Sequence, residues 1–161
     1  MKLYHGSLEV VRLPEIRVSR RLLDYGQGFY ATTSRMQAEG WVRRRMEGMG
    51  KRVGYVNVYD FDEGVLKALR CLIFRQPDEA WLDFVMRNRQ DPAFNHDYDI
   101  VYGPVANDKV YAAFSLYESG ILDRRSLIAE LKTYRLVDQY LFHTHRALQS
   151  LTFLTTEEIK R

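Results

Sequence analysis

Tyr30 and Trp41 stand eleven positions apart across a strand–helix junction, where their two rings could wall a pocket for a flat ligand. The stretch leading into them is Asp24-Tyr-Gly-Gln-Gly-Phe-Tyr-Ala-Thr-Thr33. Gly26 and Gly28 mark backbone that turns tightly or passes close to another group, because glycine reaches positive φ without a steric penalty. The aromatic and β-branched run from Phe29 to Thr33 suits a short strand. Ser34 can then cap a helix whose apolar face carries Ala38, Trp41 and Val42. The other end of such a pocket stands in Leu3-Tyr-His-Gly-Ser7. There His5 offers a hydrogen-bonding imidazole, Gly6 lets a ligand approach the backbone, and Ser7 supplies a short hydroxyl.

Other chemistries find less support. No Gly-x-Ser-x-Gly elbow is present, and the single cysteine, Cys71, lies in the apolar run Leu69-Arg-Cys-Leu-Ile-Phe74. It reads as a small buried hydrophobe and excludes both an intramolecular disulfide and a cysteine-based metal site. His143 and His145 lie two apart, on one face if a strand continues through them, but no carboxylate or cysteine stands at a ligand spacing, so no metal is expected. His96 reads as a loop residue. Gly26-Gln-Gly28 lacks the third glycine of the dinucleotide fingerprint, and there is no Walker phosphate loop.

The 161 residues are expected to form one domain, 1–161, long enough to bury a proper core. Hydrophobic content of 46% and charged content of 28% exclude a disordered class. The formal charge is only +3, but basic residues cluster at Arg20-Arg21, Arg43 to Arg45, Lys51-Arg52 and Arg124-Arg125. Such clusters are either solvated faces or an attraction for an anionic ligand, whether phosphate groups or nucleic acid. No apolar run follows the starting Met-Lys, and no stretch is long and apolar enough to span a bilayer. The expectation is a cytoplasmic protein with no membrane partner. A secretion route that leaves no such signal stays open.

The elements needed to hold these residues follow from periodicity and turn chemistry. Strands are expected at Lys2 to His5, Phe29 to Thr33, Val53 to Asp62, Leu72 to Phe74, Tyr98 to Val105, Asp138 to His143 and Thr152 to Thr156. Helices are expected from Ser34 to Met49 with a break at Gly48 and Gly50, from Pro77 to Arg89, from Tyr111 to Ser119, and from Ser126 to Lys132 with Ser126 as its cap. Turns of helix are expected near Gly64 to Leu69 and Arg146 to Leu151. Short strands interrupted irregularly by helices do not repeat as βαβ units, which points to an α+β fold with mostly antiparallel sheet.

Leu3-Tyr-His-Gly-Ser7, Tyr25-Gly-Gln-Gly-Phe-Tyr-Ala-Thr with Ala38 and Trp41, and Gln139-Tyr-Leu-Phe-His143 resemble, in order, the three motifs of the ADP-ribosyltransferase superfamily. The resemblance is to the diphtheria-toxin and poly-ADP-ribose-polymerase branch, whose signature is His, Tyr, Glu. More narrowly, Asp24 to Thr32, Tyr98-Asp-Ile-Val-Tyr-Gly-Pro-Val-Ala106 and Gln139 to Leu148 resemble an uncharacterised bacterial family of that superfamily. The implied fold is a split antiparallel β-sandwich with flanking helices.

The resemblance also implies roles. NAD would be the co-substrate, with His5 bonding a hydroxyl of the nicotinamide ribose and the Gly6 backbone pairing with the carboxamide. Tyr30 would pack on one side of the nicotinamide and Trp41 on the other. Ser7, Gly28, Thr32 and Ala38 would complete the NAD-binding set, although Ala38 stands where many members carry a serine that holds the carboxamide. Gln139 takes the place of the catalytic glutamate, giving a catalytic set of His5, Tyr30 and Gln139. An amide there carries no charge and is a poor general base, which argues against polymer formation. Transfer of a single ADP-ribose to a protein or nucleic acid follows, with the setting of a bacterial toxin, toxin–antitoxin component or effector and an antitoxin or immunity partner. A slow NAD glycohydrolase and a non-catalytic NAD- or nucleotide-binding module remain alternatives. Val137, two residues before Gln139, is not a carboxylate, which argues against an arginine acceptor. On this reading Gln139→Glu is expected to raise NAD turnover.

Overall fold

The structure, a computed structural model, describes residues 1–19 and 22–161; Arg20 and Arg21, the first basic cluster, lie outside the described residues. In chain order the strands are Lys2–Ser7 (β1), Phe29–Ala31 (β2), Val53–Phe61 (β3), Cys71–Ile73 (β4), Ile100–Pro104 (β5), Asp138–Phe142 (β6) and Leu151–Lys160 (β7). The helices are Arg35–Met49 (α1), Glu79–Gln90 (α2), Asp108–Glu118 (α3), Arg124–Lys132 (α4) and a single turn at His145–Leu148 (α5), with a 3-10 turn at Glu63–Lys67. One sheet is ordered β1-β3-β7 and the other β2-β6-β5-β4. Every pairing is antiparallel except β4 with β5. The fold is α+β with two mostly antiparallel sheets.

Alternation of side chains across each strand builds the layers. Phe29, Ala31, Tyr140 and Phe142 face Leu3, Tyr59 and Phe61 in a core between the sheets. The opposite face of the second sheet presents Val101 and Leu141 to Trp81, Leu82 and Val85 of α2, and to Phe114 and Leu127 of α3 and α4. On the outer face of the first sheet, Ala38, Val42 and Met46 of α1 pack on Val56 and Ile159. Gly54 of β3 permits that approach, since a Cβ there would run into the Val42 side chain.

Several boundaries differ from the sequence expectation for local reasons. Ser34 caps α1 by accepting the Gln37 N–H at 3.2 Å, but the helix runs through Gly48 and ends only at Gly50, whose φ of 63° suits a C-terminal glycine. α4 begins before Ser126 because Asp123 is its cap, accepting the Ser126 N–H at 2.7 Å. β1 continues through Gly6 and Ser7, and β7 extends to Lys160 because β3 offers partners as far as Val53. β6 ends at Phe142, so His143 and His145 do not share a strand face. Cys71 is half-buried at the start of an edge strand rather than enclosed in the core.

Tyr25 ties the loop before β2 to the second sheet. Its side chain is fully buried; the hydroxyl donates to the Pro104 carbonyl at 2.8 Å and accepts from the Trp81 indole N–H at 2.8 Å. Gly103 leaves room for that hydroxyl, which an added Cβ would strike. Tyr25→Phe keeps the ring but strands the buried Trp81 indole N–H and takes one of two donors from the Pro104 carbonyl. The expected loss is about 1–3 kcal/mol of unfolding free energy, read from the urea midpoint at unchanged slope; a midpoint at the wild-type value would refute it.

Candidate functional site

Among the described residues one backbone bridge joins the edges of the two sheets. Tyr4 and Thr32 exchange hydrogen bonds of 2.8 and 2.9 Å, and the strands then part. The gap between them opens into a cleft of about 950 Å³, walled by β1, β2, α1 from Gln37 to Arg45 and the start of α3. His5, Gly6, Ser7, Gly28, Tyr30, Thr32, Ala38, Trp41 and Gln139 all line it. Residues from both ends and the first quarter of the chain thus share one concave surface. A smaller hollow of about 660 Å³ lies against α2, but the Arg124 on its wall is already paired with Glu79 and Asp83.

His5 closes the split where backbone pairing stops. Its Nδ1 lies 2.6 Å from the Tyr30 carbonyl, an acceptor only, so Nδ1 carries the proton and Nε2 keeps its lone pair. The ring lies 4.2 Å from that of Phe29. Burial disfavours the imidazolium and holds the His5 pKa at about 4, below the ordinary 6.5, despite the opposing hydrogen bond. At neutral pH His5 is therefore a neutral hydrogen-bonding group.

The glycine loop is pinned from several sides. The Tyr30 hydroxyl donates to the Gly26 carbonyl at 2.6 Å and accepts from the Tyr25 N–H at 3.1 Å. His96, buried in its loop, sets Nε2 at 2.7 Å from the Tyr25 carbonyl while its Nδ1 accepts from the Tyr98 N–H. His143 packs on it with ring centroids 4.2 Å apart and places Nδ1 against the Gln27 carbonyl at 2.5 Å. Gly26 and Gly28 adopt φ of 91° and 150°, and a Cβ at Gly28 would press into the Phe142 carbonyl. His96 and His143 are thus structural anchors, and among the described residues no cluster of His, Cys, Asp and Glu could hold a metal ion.

Other expected site residues are placed differently than their types suggest. Gly6 lacks a Cβ chiefly for packing: one would strike the Ala38 carbonyl and Val42, so α1 occupies the approach assigned to a ligand. The Gly6 backbone still bears on the cleft, since it turns to the same side of β1 as the Tyr4 groups that bond Thr32. The Ser7 hydroxyl accepts from the Glu9 N–H at 3.2 Å. The Thr32 hydroxyl donates to Asp138 at 3.0 Å and accepts from the Ser34 N–H, fixing the start of α1. Trp41 is not part of the buried face of α1: it is 40% exposed at the rim, with the Arg45 guanidinium 5.5 Å from its ring centroid.

Gln139 and Tyr30 project from the same face of the second sheet, since Gln139 shares that face with Leu141, the cross-strand partner of Tyr30. The Gln139 amide donates to the Pro104 carbonyl at 3.3 Å and lies close enough to Asp24 to favour its charged form. The Asp24 carboxylate, missed as a chemical group by sequence reasoning, lines the cleft and accepts from the Tyr111 hydroxyl at 3.2 Å. Burial raises its pKa, against hydrogen bonds from Tyr111, Gln139 and the Ala106 backbone and the charge of Arg89. Its position directly before Tyr25 was the available signal. Tyr111 gave none, because only the tertiary fold brings α3 to this wall. Of the basic clusters, Arg44 and Arg45 reach the cleft, as does Arg17, which pairs with Glu9 at 2.7 Å. Arg43 turns to Glu39 instead. Among the described residues no helix is long and apolar enough to cross a membrane.

Residues 1–153 match the model of a family described as Protein of unknown function (DUF3990), and the chain belongs to that family. No curated protein and no solved structure matches it.

The low His5 pKa has a consequence for stability. An unfolded imidazole takes up its proton near 6.5 and the folded one only near 4. Between these values the unfolded state binds more protons, so stability is full above pH 6.5 and falls as pH drops toward 4. Burial lowers His96 in the same sense, so the comparison is with His5→Gln, which keeps an N–H for the Tyr30 carbonyl. Urea unfolding at about pH 7 and about pH 4.5 should show an acid-induced loss roughly 2 kcal/mol smaller in the variant. Equal losses would show that His5 is not held neutral.

Proposed function

We propose that this member of the DUF3990 family is a NAD-dependent mono-ADP-ribosyltransferase with an ADP-ribosyltransferase-like split β-sandwich. The observation that carries the reading is the convergence of His5, Tyr30, Trp41 and Gln139, distant in sequence, on one cleft between the two sheets. The cleft is of the size that small-molecule and cofactor sites occupy.

The chemistry asks for little covalent help. The bond between the nicotinamide nitrogen and ribose C1′ breaks, its electron pair leaves with the nitrogen, and the pyridinium becomes neutral nicotinamide. The ribose carbon takes on oxocarbenium character, as in glycoside cleavage. A nucleophile on the acceptor then bonds to that carbon and loses its proton to solvent. Neutral His5, with Nδ1–H held by the Tyr30 carbonyl, has Nε2 available to accept from a ribose hydroxyl. The Tyr30 hydroxyl is spent on Gly26, so Tyr30 acts through its ring and through holding the loop. Trp41 on the rim, beside Arg44 and Arg45, suits the outer face of a bound dinucleotide with its negative phosphates. The acceptor is a protein or nucleic acid, and an antitoxin or immunity partner would fit a toxin's setting.

Incubation of the folded protein with NAD labelled on the adenylate and a cell lysate should move label onto a macromolecule and release nicotinamide. The absence of both events would overturn the transferase reading. The amide at Gln139 favours one second reading, a nucleotide-binding module. That module would be stabilised thermally by NAD while releasing no nicotinamide.

A further inference from the structure

We propose that Asp24, not the β6 side chain at position 139, supplies the negative charge that stabilises the reacting ribose, with Gln139 holding that carboxylate in place. The inference rests on the NAD-cleaving reading above and specifies how its site works without a glutamate on β6.

Three elements converge on Asp24. Tyr111 of α3 donates to Oδ1 at 3.2 Å, and the Gln139 side chain of β6 and the Ala106 backbone ahead of α3 lie close enough to favour the charged carboxylate. Arg89 of α2 lies close enough to favour the charged form, with its guanidinium stacked 4.5 Å from the Tyr111 ring centroid. Tyr25 and Tyr30 lie within electrostatic reach of Asp24 on the loop side. All of Asp24, Tyr30, Tyr111 and Gln139 line the cleft.

The pattern differs from that of a merely structural acid. A helix cap or surface ion pair is satisfied at little desolvation cost, whereas burial here works against the Asp24 charge and the surrounding donors only partly offset it. A group so placed gains most from a cation brought beside it. NAD carries a positive pyridinium, and its cleavage moves positive character onto ribose C1′. By reciprocal linkage, whatever cation favours ionised Asp24 is itself favoured by it. Gln139 serves this arrangement better than a glutamate would: an amide donates to Asp24, while a second carboxylate would compete with it for a proton.

The test uses the full chain and two substitutions, with NAD itself as the ligand. Asp24→Asn keeps the size and one acceptor oxygen, which the Tyr111 hydroxyl can still bond, and removes the charge. It should leave the NAD Kd within a few-fold of wild type and the melting temperature unchanged, but lower the rate of nicotinamide release on the order of 100-fold. Asp24→Glu should recover part of that rate. Gln139→Glu leaves Asp24 in place and should lower turnover at neutral pH, the reverse of the gain the sequence alone leads one to expect. Retained turnover in Asp24→Asn, or a rise in Gln139→Glu, would overturn the role of Asp24 while NAD cleavage by the wild type stood. A wild-type protein that releases no nicotinamide would overturn both this role and the reading on which it rests.

Discussion

The position of the cleft depends on one buried residue held on every side. Tyr25 presents its hydroxyl to Pro104 and Trp81, its carbonyl to His96 and its N–H to the Tyr30 hydroxyl. Each of these groups would cost free energy if buried unpaired, so the loop has little freedom to adopt another path. Fixing Tyr25 fixes its neighbours. Asp24 on one side is carried to the cleft wall, and Gly26 and Gly28 on the other make the positive-φ turn that delivers Tyr30 to the same wall. The core under α2 and the site are therefore one construction.

The split between the sheets needs a comparable account, because a strand edge facing a gap leaves polar backbone groups without partners. β1 and β2 begin to pair at Tyr4 and Thr32 and then stop. The His5 side chain takes over one lost bond by donating to Tyr30. Beyond it, the segment after β1 is tied down by buried Asn57, which accepts from the Val11 N–H and donates to the Glu9 carbonyl, and by the Tyr59 hydroxyl on the Val11 carbonyl. Side chains from β3 thus do the work of a missing strand, and the cleft stays open between two secured walls.

The sequence made the alternating and capped elements readable. β3 declared itself through period-two alternation, and Ser34 marks a helix start that the backbone confirms, whereas α3 starts at Asp108 behind its Asn107 cap, ahead of the expected Tyr111. Legibility failed where a residue's job is set by a distant partner. Gly6 reads as room for a ligand and also makes room for α1; Thr32 reads as a site hydroxyl and also anchors Asp138; His96, a loop residue as expected, also holds Tyr25. Trp41 reads as part of the apolar face of its helix, yet α1 meets the first sheet along Ala38, Val42 and Met46, a narrow stripe that leaves Trp41 at the rim. The grouping of His5, Tyr30, Trp41 and Gln139 was legible from motif order, while their neighbours from α3 were not, since nothing local in Asn107 to Tyr111 signals which wall that helix will form.

Where a carboxylate stands in such a cleft also decides what it is coupled to. A charge on β6 would sit on a strand hydrogen-bonded to β2 and β5 on both sides, in place whether or not the glycine loop is ordered. A charge at Asp24 sits on the loop itself, so its placement depends on Tyr25, His96 and the Gly26 turn being formed. On the proposed reading, the side chain that meets the positive ribose and the ring of Tyr30 that meets the nicotinamide are then positioned by the same short segment. On that reading Gln139 becomes the link between that segment and the rigid sheet: its amide donates to the Pro104 carbonyl, the same carbonyl that receives the Tyr25 hydroxyl, and would donate to Asp24 as well. An amide can make those two donations at once, which a carboxylate at that position cannot.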